Sequence, residues 1–532
     1  MKELKMEELS VRQKVGMAMV GIIIKDDRWE GFEANLEYTL SLIRNHSLGA
    51  VWVSPRLRNL KQIMKAIKEA ADYPILIFTD AESGLGEHKI GRHNAIGCTG
   101  SEEHAYTFGK VTAVTARQMG YNVVCNPVLD MRNCYAVGGG NVRSFGSDKY
   151  KVAQLAAAEA QGMHDGGLLT VAKHYPSPTN YERQIDSHMA ETASQNTVEE
   201  LLDYNLYPYM ELMKKGLLDG IMVGHARLAK IDPDFPASLS KKVIDIIRNQ
   251  GFNGFTITDG LEMMGIVAKF GASDSKGLAI AAGNDLALPG NETRKCYEAL
   301  CDCYDKGIIS ENRLDEAVCR VLEAQRKTLM IPKYTEMTKE DLDKFDSINR
   351  DCVFSRTDEG LSTAISHDGR HYFVVMVENG TAVSDEGKVT VDTFSTPWYN
   401  PQKIMRKLEE LFPNSAVTAI DQFPSPAQNM NMLERSIDYD DVVFITFVEG
   451  KAYSGMERFT SRITSLVEAL QVTNRVSTIV HFGSPYALED FEDHIPRIII
   501  GGLSDDSVNY TLDVLAGKYP AKGVLTYDVK LK

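Results

Sequence analysis

Several familiar features are missing from this 532-residue sequence. No apolar run is long enough to cross a bilayer, and the stretch Val15–Ile24 falls well short of a membrane span. The charged start, MKELKMEELS, lacks a basic leader and a small-residue cleavage site, so a cytoplasmic protein without membrane contact is expected. There is no Cys-x-x-Cys. The eight cysteines (Cys98, Cys125, Cys134, Cys296, Cys301, Cys303, Cys319 and Cys352) are scattered, with no spacing to histidine that suggests zinc. They are expected to be free thiols in a reducing compartment. Positive charge is in short supply: 58 Lys and Arg face 73 Asp and Glu, a net charge of −15, which argues against a nucleic-acid or anionic-membrane partner. Gly138-Gly139-Gly140-Asn141 is glycine-rich, but no Gly-Lys-Ser/Thr follows and no strand–loop–helix frame surrounds it, so it does not read as a phosphate cradle. Internal repeats and low-complexity segments are also lacking. No metal and no cofactor is expected, and the sequence leaves the oligomeric state open.

What is present is enough apolar residue, 43%, for more than one core in a chain too long for one ordinary domain. In the first 330 residues short β-like runs alternate with amphipathic helical stretches. The runs are Val15–Ile24, Ala50–Ser54, Pro74–Thr79, Asn122–Asn126, Leu169–Lys173, Gly220–Gly224, Gly254–Thr258 and Asp285–Pro289. Eight such runs predict an α/β fold, a (β/α)8 TIM-type barrel over 1–330. A charged, proline-containing linker is expected over 331–350, followed by a smaller open α/β sandwich domain over 351–532. Its strands are placed at Tyr372–Val377, Ala416–Ile420, Asp441–Val448, Thr478–Phe482 and Arg497–Ile500.

Polar residues collect at the ends of the barrel runs: Asp80, Lys173 and His174, His225 and Asp259, with Asn284 and Asp285 opening the last one. The C-terminal ends of barrel strands face the active-site mouth. Asp259, after Gly-Phe-Thr-Ile-Thr, reads as a catalytic nucleophile, although an Asp there also suits a helix N-cap. A ring of carboxylates, Lys and His without a metal cluster suits a ligand rich in hydroxyls, such as a small carbohydrate. Downstream of Lys173-His174-Tyr175-Pro176, a polar loop carries Asp186-Ser187-His188. There the carboxylate can orient the imidazole for general acid work near neutral pH.

Taken in order, these residues resemble glycoside hydrolase family 3, in its bacterial β-N-acetylhexosaminidase branch. The resemblance runs through Asn126–Asp130, Asn141–Asp148, Lys173–Pro176, Asp186–His188, Gly224–Ala226, Pro236–Ser240, Thr258–Met263, Ala282–Asp285 and, in the second domain, Phe482–Tyr486. It implies a retaining hydrolase that removes terminal β-linked N-acetylglucosamine, possibly from cell-wall fragments, through a covalent glycosyl-enzyme. Asp259 matches the nucleophile, and His188 with Asp186 the acid/base dyad. Asp80, Arg143, Lys173 and His174 match positions that hold sugar hydroxyls, and His225 is placed with them. This chain departs from the family pattern at Ser177-Pro178-Thr179, where Gly-His-Gly is usual, and at Ala81-Glu82-Ser83-Gly84 after Asp80. Three alternatives remain beside the main reading. The first is a β-glucosidase or β-xylosidase with Glu449 or Glu457 of the second domain as acid. The others are a glycoside phosphorylase and a non-catalytic sugar-binding homologue.

Overall fold

The computed structural model describes residues 2–131, 142–183, 185–290, 292–330, 336–377, 400–449 and 458–532, and the backbone alone of 380–383 and 389–392. The chain divides into two compact units: Met1–His88, Glu102–Met131 and Asp148–Leu342 form the first, and Lys89–Ser101, Arg132–Ser147 and Asp343–Lys532 the second.

In the first unit, strands Val20–Ile23, Ala50–Val53, Leu76–Thr79, Val123–Val124, Leu169–Tyr175, Gly220–Val223 and Phe255–Thr258 lie side by side in that order, all parallel. Residues 286–287 complete the ring. Leu286 bridges to Ile257 and Ala287 to Met19, with the Val20 N–H donating to the Ala287 carbonyl at 3.0 Å. The result is the (β/α)8 barrel. Its first apolar run is only half strand. Ser10 and Gln13 form a reciprocal capping box, so Val11–Met17 is a helix and the strand begins at Val20.

The barrel interior follows from the two-residue period of a strand. Val20 and Ile22, Leu76 and Phe78, Leu169 and Val171, and Phe255 and Ile257 form one buried cluster. The next position on the same face of three of these strands is Asp80, Lys173 or Asp259. Alternation that fills the core with apolar side chains therefore places these polar residues at the C-terminal mouth.

The second unit contains a six-stranded sheet in the order Phe354–Thr357, Arg497–Gly501, Val476–Gly483, Asp441–Val448, His371–Val377, Ala416–Asp421. Its strands are parallel except Phe354–Thr357, which pairs antiparallel with Arg497–Gly501. That edge strand is only half-buried and is not legible as an apolar run, whereas His371–Val377 is buried at every position, as a strand covered on both faces must be.

Two expectations change. The division is not a single cut near residue 330, because Lys89–Ser101 and Arg132–Ser147 leave the barrel half and cluster with the C-terminal unit. Within that unit the chain end ties them down by main-chain bonds: Val524 N–H to Cys98 O (2.7 Å) and Ser147 N–H to Thr526 O (2.9 Å). The expected linker, for its part, contains a helix, Lys339–Asp351, which buries Phe345 and Ile348. The charge that suggested a surface linker is the helix's polar face. All cysteines among the described residues are free. No helix among them is long and apolar enough to cross a membrane.

Candidate active site

Asp259 follows the strand Phe255–Thr258 directly. Its backbone N–H still bonds Val223 O on the neighbouring strand at 2.9 Å, which holds the residue in the barrel frame. It caps no helix: the next one starts at Met264, and the carboxylate Oδ1 accepts the N–H of Gly260 at 2.8 Å. Burial pushes this carboxyl up. The charge of His174, the Gly260 N–H and the charge of His188 outweigh it, and the group settles down at about 2.

Lys173 is 1% exposed and forms ion pairs with Asp80 and Glu82, each at 2.5 Å. A buried ammonium needs such partners. Asp80 keeps about half of its side chain open, whereas Glu82 is buried. On a regular strand Lys173 and His174 would point to opposite faces. The register with the neighbouring strand slips between Ala172 and Tyr175, and both side chains pair with carboxylates. His174 Nδ1 donates to Asp130 Oδ2 at 2.8 Å, and its Nε2 stands 3.9 Å from Asp259 Oδ2.

The dyad is formed. His188 Nδ1 donates to Asp186 Oδ1 at 2.7 Å, and the same oxygen accepts the His188 backbone N–H at 2.9 Å. The loop is anchored to the helix after Asp259 by Met264 N–H to His188 O, 3.2 Å. That helix approaches closely because its second residue is Gly265. A Cβ there would lie 2.8 Å from the Ala190 carbonyl oxygen and 3.1 Å from that of Ser187. Gly265→Ala raises intrinsic helix propensity by about 1 kcal/mol, yet it should displace the loop. The expected result is a melting temperature that holds or rises while kcat/KM falls about tenfold. Steady-state rates with parallel thermal melts check this, and unchanged kcat/KM would show that the loop yields freely.

Two sequence expectations are corrected. His225 was placed among the substrate contacts, but both of its ring nitrogens are occupied. Nε2 donates to Gly260 O at 3.0 Å, so Nδ1 accepts from Ser238 Oγ at 2.7 Å. Burial lowers its pKa, keeping it a neutral ring that props the loop after Asp259. Asp285 opens its strand and so lies at the opposite end of the barrel. It is fully buried and paired with Arg248 (2.8 Å), Arg313 (2.6 Å) and Arg320 (3.1 Å), a structural cluster. Arg143 belongs to the second compact unit. In that unit Glu449 is buried and accepts from Arg92 at 3.0 Å. Glu457 and Gly138–Asn141 lie outside the described residues. Sequence reasoning did not assign site roles to Glu82 and Asp130. Asp130 lay inside a noted motif, and a polar residue just past an apolar run was the available signal.

Residues 10–324 match the family model described as the glycosyl hydrolase family 3 N-terminal domain, so the protein is a glycoside hydrolase. The chain belongs to glycoside hydrolase family 3. It is 29% identical over 256 residues to a beta-hexosaminidase of Idiomarina loihiensis, covering 46% of this chain and 76% of that one. It is 30% identical over 267 residues to the beta-hexosaminidase of Tolumonas auensis, covering 47% and 78%. A beta-N-acetylglucosaminidase/beta-glucosidase of Cellulomonas fimi is 27% identical over 309 residues, covering 55% and 54%. Among solved structures, a family 3 beta-N-acetylglucosaminidase from Paenibacillus sp. shares the fold with TM-score 0.79 at 21% identity, covering 98% of this chain and all of that one. A beta-glucoside phosphorylase, BglX, does so with TM-score 0.81 at 20%, covering 98% and 95%.

Proposed function

We propose that the protein is an exo-acting retaining β-N-acetylhexosaminidase. The observation that carries this reading is the His188–Asp186 pair at 2.7 Å, on a loop bonded to the helix that follows Asp259. Asp259 attacks the anomeric carbon. The bond from that carbon to the aglycone oxygen breaks, and His188 Nε2 gives its proton to the departing oxygen. His188 then removes a proton from water, which attacks the same carbon and releases the Asp259 carboxylate. Two inversions give net retention. An anionic oxygen with pKa about 2 is ionised at any pH near neutrality and leaves readily in the second step. A histidine acid/base, neutral in its basic form, sets no second anion beside the nucleophile. In this reading Asp80, paired with Lys173, and His174, paired with Asp130, bind sugar hydroxyls. Such contacts raise kcat if they tighten in the transition state. The hexosaminidase names of the sequence relatives support the acetamido sugar, and cell-wall fragments fit an exo-acting enzyme of this kind. The burial of Glu449 against Arg92 counts against it as the acid.

The test is a panel of initial rates on aryl β-N-acetylglucosaminide, β-glucoside and β-xyloside, each with and without phosphate. A preference of at least about tenfold for the acetamido sugar, unaffected by phosphate, is the expected result. Preference for the glucoside or xyloside overturns the sugar assignment. Rates that rise with phosphate, with sugar phosphate as product, make the enzyme a phosphorylase working through the same glycosyl-enzyme.

A further inference from the structure

We infer that Ser177, through its hydroxyl, is a positioning residue that fixes the Asp130–His174 pair of the active site. This rests on the reading of His174 as a site residue and goes beyond it.

Ser177 has φ of +54°, in the left-handed region that residues other than glycine seldom occupy. It is 1% exposed, and each of its polar groups has a partner. Its N–H donates to His174 O at 2.8 Å. Its carbonyl accepts Asn205 Nδ2 at 2.6 Å, and its hydroxyl lies 2.9 Å from Asp130 Oδ1 and 3.2 Å from Tyr209 OH.

The direction of these bonds is set by chemistry. A carboxylate only accepts, so the Ser177 hydroxyl donates to Asp130 at 2.9 Å, closer than the His174 carbonyl at 3.2 Å, and accepts from Tyr209. Tyr209 is fully buried, and burial holds its phenol protonated. The chain of donors is therefore Tyr209 to Ser177 to Asp130, whose other oxygen receives His174 Nδ1–H at 2.8 Å. Asp130 Oδ1 also accepts the His174 backbone N–H at 3.0 Å. With Nδ1 fixed in this way, Nε2 is the nitrogen turned toward Asp259, 3.9 Å away.

The support comes from one stretch of helix. Leu201–Asn205 is a π turn, closed by Leu206 N–H to Leu201 O at 2.8 Å. Such turns cluster at functional sites. Here the turn precedes the helix Tyr207–Lys214 and brings Asn205 to the carbonyl and Tyr209 to the hydroxyl of the same serine. A residue in an unfavourable backbone region that is held by every polar group it has is over-determined in the sense expected at a site. A glycine would meet the backbone requirement more easily but would leave Asp130 one hydrogen bond short.

That contrast supplies the test. Ser177→Gly relieves the backbone and removes the hydroxyl. If the hydroxyl positions His174, kcat/KM on an aryl glycoside falls about tenfold while the melting temperature holds within about two degrees or rises. The same change made in a His174→Ala background lowers kcat/KM by less than about twofold, since the residue it acts through is gone. Full activity in Ser177→Gly alongside an impaired His174→Ala overturns the proposal, as do losses that multiply in the double variant. Tyr209→Phe, one link further out, gives the same non-additivity with a smaller loss, and serves if Ser177→Gly does not fold. The imidazole ¹⁵N signals of His174, identified by their loss in His174→Ala, give a reading independent of turnover. They should broaden or shift in Ser177→Gly, and unchanged signals count against the proposal. Failure of the nucleophile assignment shows elsewhere, as activity retained by Asp259→Ala.

Discussion

Asp259→Ala is expected to lower kcat by about 10⁴-fold or more, because it removes the atom that forms the covalent bond. Melting should change little, since the carboxylate lies at the mouth and about a quarter of its side chain is open. Two further readouts make the prediction specific. In the alanine variant a small anion such as azide can enter the space vacated by the carboxylate and attack the anomeric carbon. Only one displacement then occurs, and the product is a glycosyl azide of inverted configuration. In the wild-type enzyme the product is expected to keep the β configuration. The pH profile adds a constraint. With the Asp259 carboxyl at about 2, the nucleophile is ionised throughout the range near neutrality, so any loss of activity on mild acidification belongs to another group. Turnover preserved in Asp259→Ala would remove the nucleophile assignment outright. Loss of turnover without azide rescue would leave room for a purely structural role of the carboxylate.

His188→Ala should have an effect that depends on the leaving group. An aryl oxide with electron-withdrawing substituents departs without a proton, so the first step is expected to slow by about tenfold or less. A sugar or alkyl oxide needs the proton and should slow by about 10³-fold. Loss of the same imidazole as a base slows the attack of water in the second step. With activated aryl substrates the glycosyl-enzyme should then accumulate, giving a burst of aryl alcohol equal to the enzyme concentration. A series of aryl glycosides of graded leaving-group acidity checks this by the slope of log kcat/KM. Equal losses across the series would sink the acid role. Asp186→Asn should follow the same pattern less steeply, because the amide offers an oxygen to Nδ1–H but no negative charge.

Much of this site lies at predictable places in the chain. Asp80, Lys173 and Asp259 each stand two residues beyond the last inward-facing apolar residue of a strand: Phe78, Val171 and Ile257. The period of a β-strand is a local property, so apolar alternation shows in sequence both the barrel and the positions where its core gives way to polar side chains. The dyad is legible for a similar reason. Asp186 accepts the backbone N–H and the ring nitrogen of a residue two positions on, and short-range geometry of this kind is carried by the residue types themselves.

Other features depend on contacts between distant segments. Asp285 and Asp259 both adjoin strands, but polarity decides their fates: one lies at the start of its strand, beside Arg248, Arg313 and Arg320, and the other at the end. His225 follows its strand as the other site residues follow theirs. Whether it meets a ligand or a carbonyl depends on Ser238 and Gly260, 13 and 35 residues away. The serine at position 177 reads in sequence as a departure from a glycine pattern. Folding brings Asp130, Asn205 and Tyr209 around it, and only that assembly gives its hydroxyl a task. The membership of Lys89–Ser101 in the second unit was likewise invisible, because its tie to the chain end is a main-chain bond between Cys98 and Val524, more than 400 positions apart. By itself, then, the sequence determined the barrel, the family and the carboxylate and dyad that the proposed chemistry needs, since these follow from strand period and short-range spacing. The tertiary structure decided which polar residues face the site and which support it from behind, because that depends on the partners folding brings within hydrogen-bonding distance.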